Sequence, residues 1–237
     1  ALTWGNEGVI VLDIRLSRAC LAWLTGAALA MSGATLQGAL SNPLADPFTI
    51  GVAGGAALGA SLAMFLGLPQ AGLLPLAAMA GAMAALACVL ALGRVSGGYS
   101  RENVILAGII AATFLSACVS LIKFLDEDSV AAIVFWIMGS FQGRAWAEVH
   151  FILPYLLPAM AVTLFMAKEL DLLAMGEVQA RVLGLETSQA RLILLLAAGL
   201  MTGAAVAVSG VIGFVGLVAP HLVRLALGSK HRPLLLF

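Results

Sequence analysis

Charged side chains are scarce in this sequence. Twelve Lys and Arg with twelve Asp and Glu make up 10% of 237 residues, against about 25% in a typical soluble domain. That composition excludes an ordinary water-soluble fold. The charges also cancel to a formal net charge of +0, so there is no basic field to gather nucleic acid, and no nucleic-acid partner is expected. The three cysteines, Cys20, Cys88 and Cys118, all lie inside apolar runs with no metal-ligand spacing, and read as buried inert thiols. Segments of alternating polarity, the mark of an outer-membrane barrel, are missing. So are G-x-x-x-x-G-K-[ST], H-E-x-x-H and G-x-S-x-G, and GVAGGAALG (Gly51 to Gly59) follows an apolar span where a nucleotide fingerprint needs a strand. The chain therefore carries no motif for catalysis, metal, cofactor or ATP of its own, and is read as a non-enzyme.

What remains is hydrophobic: 62% of residues, with a mean hydropathy of +1.08. Apolar runs exceed the roughly 18 residues that mark a membrane helix. The expected fold class is all-α, a single polytopic helical membrane domain over residues 1–237. About seven spans are expected: Leu16–Leu40, Phe48–Gly67, Ala71–Leu92, Asn103–Leu125, Val149–Ala167, Ser188–Ser209 and Val211–Leu227. Val130–Gly139 is apolar but too short to cross, and suits a re-entrant or surface helix. The chain opens Ala-Leu-Thr-Trp without an initiator Met and ends in an apolar run, Pro233 to Phe237, that reads as the start of another helix. It is expected to be part of a longer protein.

Arginine and lysine set the orientation. Arg94, Arg101, Lys168, Arg181, Arg191, Arg224, Lys230 and Arg232 fall on one side, and Arg15, Arg18, Lys123 and Arg144 on the other. The positive-inside rule then places loops 41–47, 93–102, 168–187 and 228–232 in the cytoplasm. Small residues recur every fourth position at Ala22, Gly26, Ala30, Ala34 and Gly38, at Gly51, Gly55, Gly59, Ala63 and Gly67, and at Gly199, Gly203 and Ala207. Such stripes let helix backbones approach closely in lipid.

Three polar constellations interrupt the spans. SNPLADP (Ser41 to Pro47) sets Pro43 and Pro47 as breakers, with Asn42 and Asp46 able to satisfy the freed backbone. Lys168 to Arg191 holds two short amphipathic pieces divided by Gly176 and closed by Gly184, with a helix expected from about Glu177 to Leu183. These pieces suit either the membrane surface or a partner's groove. GVIGFVGLVAPHLVR (Gly210 to Arg224) combines Gly210, Gly213 and Gly216 with Pro220, His221 and Arg224.

Together these residues resemble a known family. RLSR (Arg15 to Arg18) followed by GAALAMSGATLQGALSNPLADPFTIGVAGGAALGA (Gly26 to Ala60), LDLLAMGEVQARVLGL (Leu170 to Leu185) and GVIGFVGLVAPHLVR with GSKHR (Gly210 to Arg232) are similar, in order, to the FecCD-type permeases of ABC importers for ferric siderophores, haem and cobalamin. The resemblance implies a ten-span permease of which this chain carries spans two to eight, working beside a second copy or paralogue in the inner membrane. Two cytoplasmic ATPase subunits would use the ATP, and a periplasmic binding protein would dock outside. It implies docking through Arg15 and Arg18, with Ser17 where the family often has proline. It assigns ATPase coupling to Leu173, Gly176, Ala180, Arg181 and Gly184. A path or gate is implied at Asn42, Pro43, Asp46, Pro47, Asn103, Thr113, Ser116, Ser120, Pro220 and His221. Iron complexes are the expected cargo, and an ATP-independent secondary transporter or channel is the alternative.

Overall fold

The computed structural model of the protein describes residues 8–68 and 72–236. The Ala-Leu-Thr-Trp opening, Ala71 at the start of the third expected span and Phe237 lie outside them. Eleven α-helices and no strand occur among the described residues: α1 (Ser17–Ala39), α2 (Val52–Phe65), α3 (Leu73–Val95), α4 (Arg101–Leu125), α5 (Val130–Ile137), α6 (Trp146–Phe165), α7 (Ala167–Ala174), α8 (Glu177–Val182), α9 (Thr187–Ser209), α10 (Val215–Leu227) and α11 (His231–Leu236). A wider π-wound segment, Val9–Leu16, runs directly into α1. Ser17 keeps the helix continuous there, because its backbone N–H bonds Ile14 O, a donor that proline would lack.

Five helical runs are long and apolar enough to cross a membrane: Ile10–Ala39, Leu73–Val95, Arg101–Leu125, Trp146–Phe165 and Thr187–Ser209. The chain is thus a multi-pass helical membrane protein. Two expected spans come out shorter. Phe48–Gly67 yields only α2, 14 residues or about 21 Å, and Val211–Leu227 yields only α10, 13 residues or about 20 Å. Neither reaches the roughly 30 Å of a hydrocarbon core. The physical cause lies in the residues ahead of each helix. Gly51 (φ +75°) precedes α2, and Gly210 (φ +72°) and Phe214 (φ +67°) precede α10, all in left-handed backbone that ends a right-handed helix. Val130–Gly139 forms the short α5 as expected.

Helix α9 is the axis of the bundle. In its apolar window 78% is buried, against 28% in α4 and in α6, which keep faces free. Ser32 Oγ of α1 bonds Ala198 O at 2.9 Å and Thr202 Oγ1 at 2.7 Å on α9, so buried hydroxyls join the two helices. Of the second small-residue stripe, Gly55 and Gly59 pack closely as expected, whereas Gly51 and Gly67 lie outside α2 and Gly67 faces open space. A Cβ on Gly59 would lie 2.2 Å from Ala77 O, and one on Gly81 of α3 only 2.2 Å from Gly55 O. On α9, a Cβ on Gly199 would strike Leu86, and one on Gly203 would strike Met83 and Ala82 of α3. On α1 the expected stripe needs amending, since Gly26 faces open space. The tight positions are Gly33, against Gly216, and Gly38, against His231 and Leu170.

Candidate functional site

Helix directions bring the four loops expected on the cytoplasmic side together at one end of the bundle, where Arg101 reaches Ser41, Arg191 reaches Tyr99 and Asp171 reaches His231. There α7 packs against α1 and α11, and α8 against α9. Their connecting turn needs Gly176 (φ +108°), and Gly184 (φ +87°) lets the chain turn back into α9. Helix α8 spans Glu177–Val182, as the spacing predicts. Two of the expected coupling residues point inward, with Leu173 1% exposed and Ala180 fully buried. They anchor the pair of helices to the bundle, and the outer surface is instead Met175, Val178, Val182 and Leu183, of which Val182 is 82% exposed. Arg181 donates to Glu177 Oε1 and, through Nε, to Thr187 Oγ1 at 3.2 Å, bracing α8 on the first turn of α9.

Arg191, which the sequence offered only as one charge among eight, lies at the centre of this end and is 3% exposed. Its Nε donates to Ala39 O (3.0 Å), the last residue of α1. Nη1 donates to Tyr99 O, just before the Ser100 cap of α4. Nη2 meets Glu177 Oε2 at 3.2 Å. One planar guanidinium thus joins three elements, a geometry lysine could not reproduce.

A second buried group sits beside it. His231 takes Asp171 Oδ1 twice, through its backbone N at 2.9 Å and Nδ1 at 2.7 Å, tying α11 to α7. Its Nε2 is buried with no partner, against Gly38. Burial is the larger influence and pushes the imidazole below its usual pKa, with Arg224 acting the same way; the hydrogen bond and charge of Asp171 oppose them.

The SNPLADP segment folds inward from this end. Ser41 adopts left-handed backbone (φ +44°), uncommon without glycine. Its hydroxyl donates to Leu173 O at 2.8 Å while Arg101 Nη1 donates to its carbonyl at 3.2 Å. Asn42 Oδ1 accepts from Leu44 N, and Asp46 Oδ1 accepts from Phe48 N at 2.7 Å. Both side chains thus close the turn, as predicted for a broken helix. Asp46 is 8% exposed, and burial raises its carboxyl above the usual range against the opposing Phe48 N–H bond. Pro43 is exposed, whereas Pro47 is buried and reaches the start of α10, where a Cβ on Gly216 would lie 2.9 Å from Pro47 Cδ. Gln37, absent from the sequence candidates, secures that contact. Its Nε2 donates to Gly216 O at 3.3 Å, and its Oε1 accepts from Arg224 Nη1. The irregular turn and the first residues of α10 therefore meet inside the protein, where Gln37 bonds both Gly216 and Arg224.

The other candidates divide. Asn103 spends its amide on Ser96 O (3.0 Å) and Gly98 O (3.2 Å), fastening a turn, so the structure gives it a positioning contact outside the free face of α4. Thr113, Ser116 and Ser120 lie exposed along that face, with Thr113 Oγ1 bonded back to Ile109 O at 2.9 Å. On α10, Pro220 is buried and the next residue, His221, is exposed. Arg15 is exposed and Arg18 half-buried, in the π-wound segment and the first turn of α1, far from the end that carries α7 and α8. The sequence signal that could have exposed Arg191 and Gln37 was an ionisable or amide group within an apolar helix, which must find buried partners.

The chain matches the FecCD transport family over residues 4–237. It belongs to that family. Among FecCD relatives it is 46% identical over 231 residues to the uncharacterised ABC transporter permease YvrB of Bacillus subtilis, covering 95% of this chain and 65% of the relative. It is 40% identical over 228 residues to the cobalamin import permease BtuC of Halobacterium salinarum, covering 96% and 62%. The hemin permease HmuU of Yersinia pestis (39%, covering 95% and 69%) and the molybdate permease MolB of Haemophilus influenzae (37%, covering 95% and 67%) are also similar. A solved metal-chelate type ABC transporter in an inward-facing conformation superposes with a TM-score of 0.90 at 35% identity, over 99% of this chain and 75% of that one. The chain thus spans roughly two thirds of the length of its curated FecCD relatives, whose family consists of transport permeases and not enzymes.

Proposed function

We propose that the chain is the membrane-spanning permease part of an ABC importer for a metal complex, with iron complexes, haem or a corrinoid as cargo. Two cytoplasmic ATPase subunits would drive it, and a second permease copy or paralogue would complete the path along the free face of α4. Arg15 and Arg18 would receive acidic groups of a binding protein at the opposite end. The carrying observation is the α7–α8 pair. It holds four exposed apolar side chains, Met175, Val178, Val182 and Leu183, at an end otherwise rich in charge, and it is braced from beneath by Arg181, Arg191 and Ser41. Exposed apolar groups on a rigid support suit the groove of a protein partner.

Mechanistically, nucleotide binding would draw two such pairs together. Movement would pass to α1 and α4 and open the path inward. The test is affinity purification of the tagged full-length permease from crosslinked membranes. Around Gly184 there is open space, but its φ of +87° means that a leucine there would both add bulk to the exposed surface and strain the turn from α8 into α9. An ATPase subunit should accompany the natural permease and be lost with Gly184→Leu. A permease that purifies alone, with uptake sensitive to protonophore and not to ATP depletion, would replace this reading with the secondary transporter. For cargo, competition among a ferric siderophore, hemin, cyanocobalamin and molybdate decides. Preference for molybdate would overturn the iron assignment.

A further inference from the structure

We propose that Arg191 is a positioning residue that transmits displacement of α8 to the end of α1 and the start of α4; this rests on the reading that α7–α8 receive the ATPases. The guanidinium is fixed by three acceptors on three separate elements, Ala39 O, Tyr99 O and Glu177 Oε2. Two are main-chain carbonyls. Ala39 O lies at the negative end of α1, which favours a cation. Tyr99 O immediately precedes Ser100, whose hydroxyl accepts from Asn103 N and starts α4. Glu177 is the acidic partner, and its residue opens α8. A buried guanidinium robbed of its carboxylate is strongly unfavourable. Glu177 therefore cannot be drawn away with the charge left behind, and movement of α8 must carry Arg191 and both carbonyls or break the set.

Other ties at this end run through different groups. Ser41 donates to Leu173 O and accepts from Arg101 Nη1, which joins α7 to the end of α1 and the start of α4; the Asp171–His231 pair holds α7 to α11, and Arg181 holds α8 to Thr187 on α9. The side-chain bonds that join α8 itself to the ends of α1 and α4 pass through Arg191. Lysine keeps the charge but, as a point donor, cannot hold the planar three-way set. Gln at 177 keeps the shape and removes the charge.

The experiment uses the full-length permease assembled with its ATPases, with Cys20, Cys88 and Cys118 replaced by Ala and Ser120→Cys as a reporter on α4. A membrane-impermeant maleimide applied outside reads the ratio of labelling with and without ATP. Glu177→Gln and Arg191→Lys should each reduce the ATP-dependent change about tenfold. Glu177→Gln also loosens Arg181, so the double variant should fall no further than Glu177→Gln alone, since Arg191→Lys removes only a contact that variant has already lost. The ATPases should still co-purify, because the exposed apolar surface is untouched. A residue that served folding alone would lower yield and leave the ratio intact. Glu177 lies on a surface helix with its side chain 34% exposed, so Glu177→Gln guards against loss of folding at buried Arg191. An unchanged ratio in Glu177→Gln overturns the assignment. An unchanged ratio on ATP addition in the parent protein, before either substitution, instead overturns the importer reading and this inference with it.

Discussion

Substituting Gly33 by Ala tests the crossing of α1 and α10 in isolation. A Cβ at this position would lie 2.0 Å from Gly216 O, 2.5 Å from its Cα and 2.6 Å from its C. All three atoms are backbone, so no rotamer change can relieve the contact. The helices must separate by about 1 Å or more, because carbon–oxygen contacts below the van der Waals range cannot persist. That opening would break the Gln37 Nε2 bond to Gly216 O, already 3.3 Å long, and loosen Pro47 from Gly216. Overpacking typically costs 1–3 kcal/mol, and the rigid backbone puts this case near about 3 kcal/mol. The control is Gly26→Ala on the same helix, where nothing lies within 4 Å. There the helix should gain about 0.5–1 kcal/mol from replacing glycine. The assay is the fraction of full-length permease remaining monodisperse in detergent after a temperature series. Gly33→Ala should lose its dispersed fraction at a clearly lower temperature than Gly26→Ala. Equal midpoints would refute the claimed close approach.

Two further outcomes follow from buried ionisable groups at the end that carries α7 and α8. Because burial lowers the folded pKa of His231, the unfolded chain binds more protons below about pH 6.5, and stability should fall as pH drops from there through the folded pKa. His231→Gln should flatten that part of a melting-versus-pH series, and an unchanged slope would contradict the burial argument. Asp46 shifts the other way: its folded pKa is raised, so its contribution weakens as pH rises above about 4 through the folded value. Asp46→Asn keeps an acceptor for Phe48 N without a charge, so melting temperature at pH 7 should hold or rise; a marked fall would show that the charge itself is needed.

The sequence revealed the features that depend on composition and spacing. Apolar length identified the membrane helices, glycines at 176 and 184 bounded α8, and Gly55 and Gly59 of α2 packed on α3 as their period implies. Hydropathy failed where an apolar stretch was not helical. Val211 to Phe214 and Phe48 to Gly51 are as hydrophobic as the helices they precede, yet backbone conformation rather than polarity ends the helix. Between Lys168 and Arg191 the sequence indicated the short helices, but not the direction of their side chains. Leu173 and Ala180 turned inward because a short helix lying on a bundle must bury one face. Arg191 and Gln37 stayed hidden for a different reason. Their partners lie 152 and 179 residues away, and main-chain carbonyls leave no mark in a sequence.

The placement of polar contacts suggests how such a protein can be stiff at one end and mobile at the other. Near α7 and α8, side chains of Ser41, Arg101, Arg191, His231 and Gln37 bond to distant elements. At the opposite end, the described long-range bonds are fewer: Ser140 N to Ser209 O at 2.7 Å and Trp146 Nε1 to Leu12 O at 3.2 Å. There the contacts are close approaches such as Gly139 against Gly210. Hydrogen bonds are directional and hold a register, whereas small-residue packing permits helices to slide or tilt with little lost. A push delivered to α7–α8 would therefore travel through the bonded end as a rigid displacement. It would be released as tilt toward the end held by packing, where α4 leaves Ser116 and Ser120 exposed.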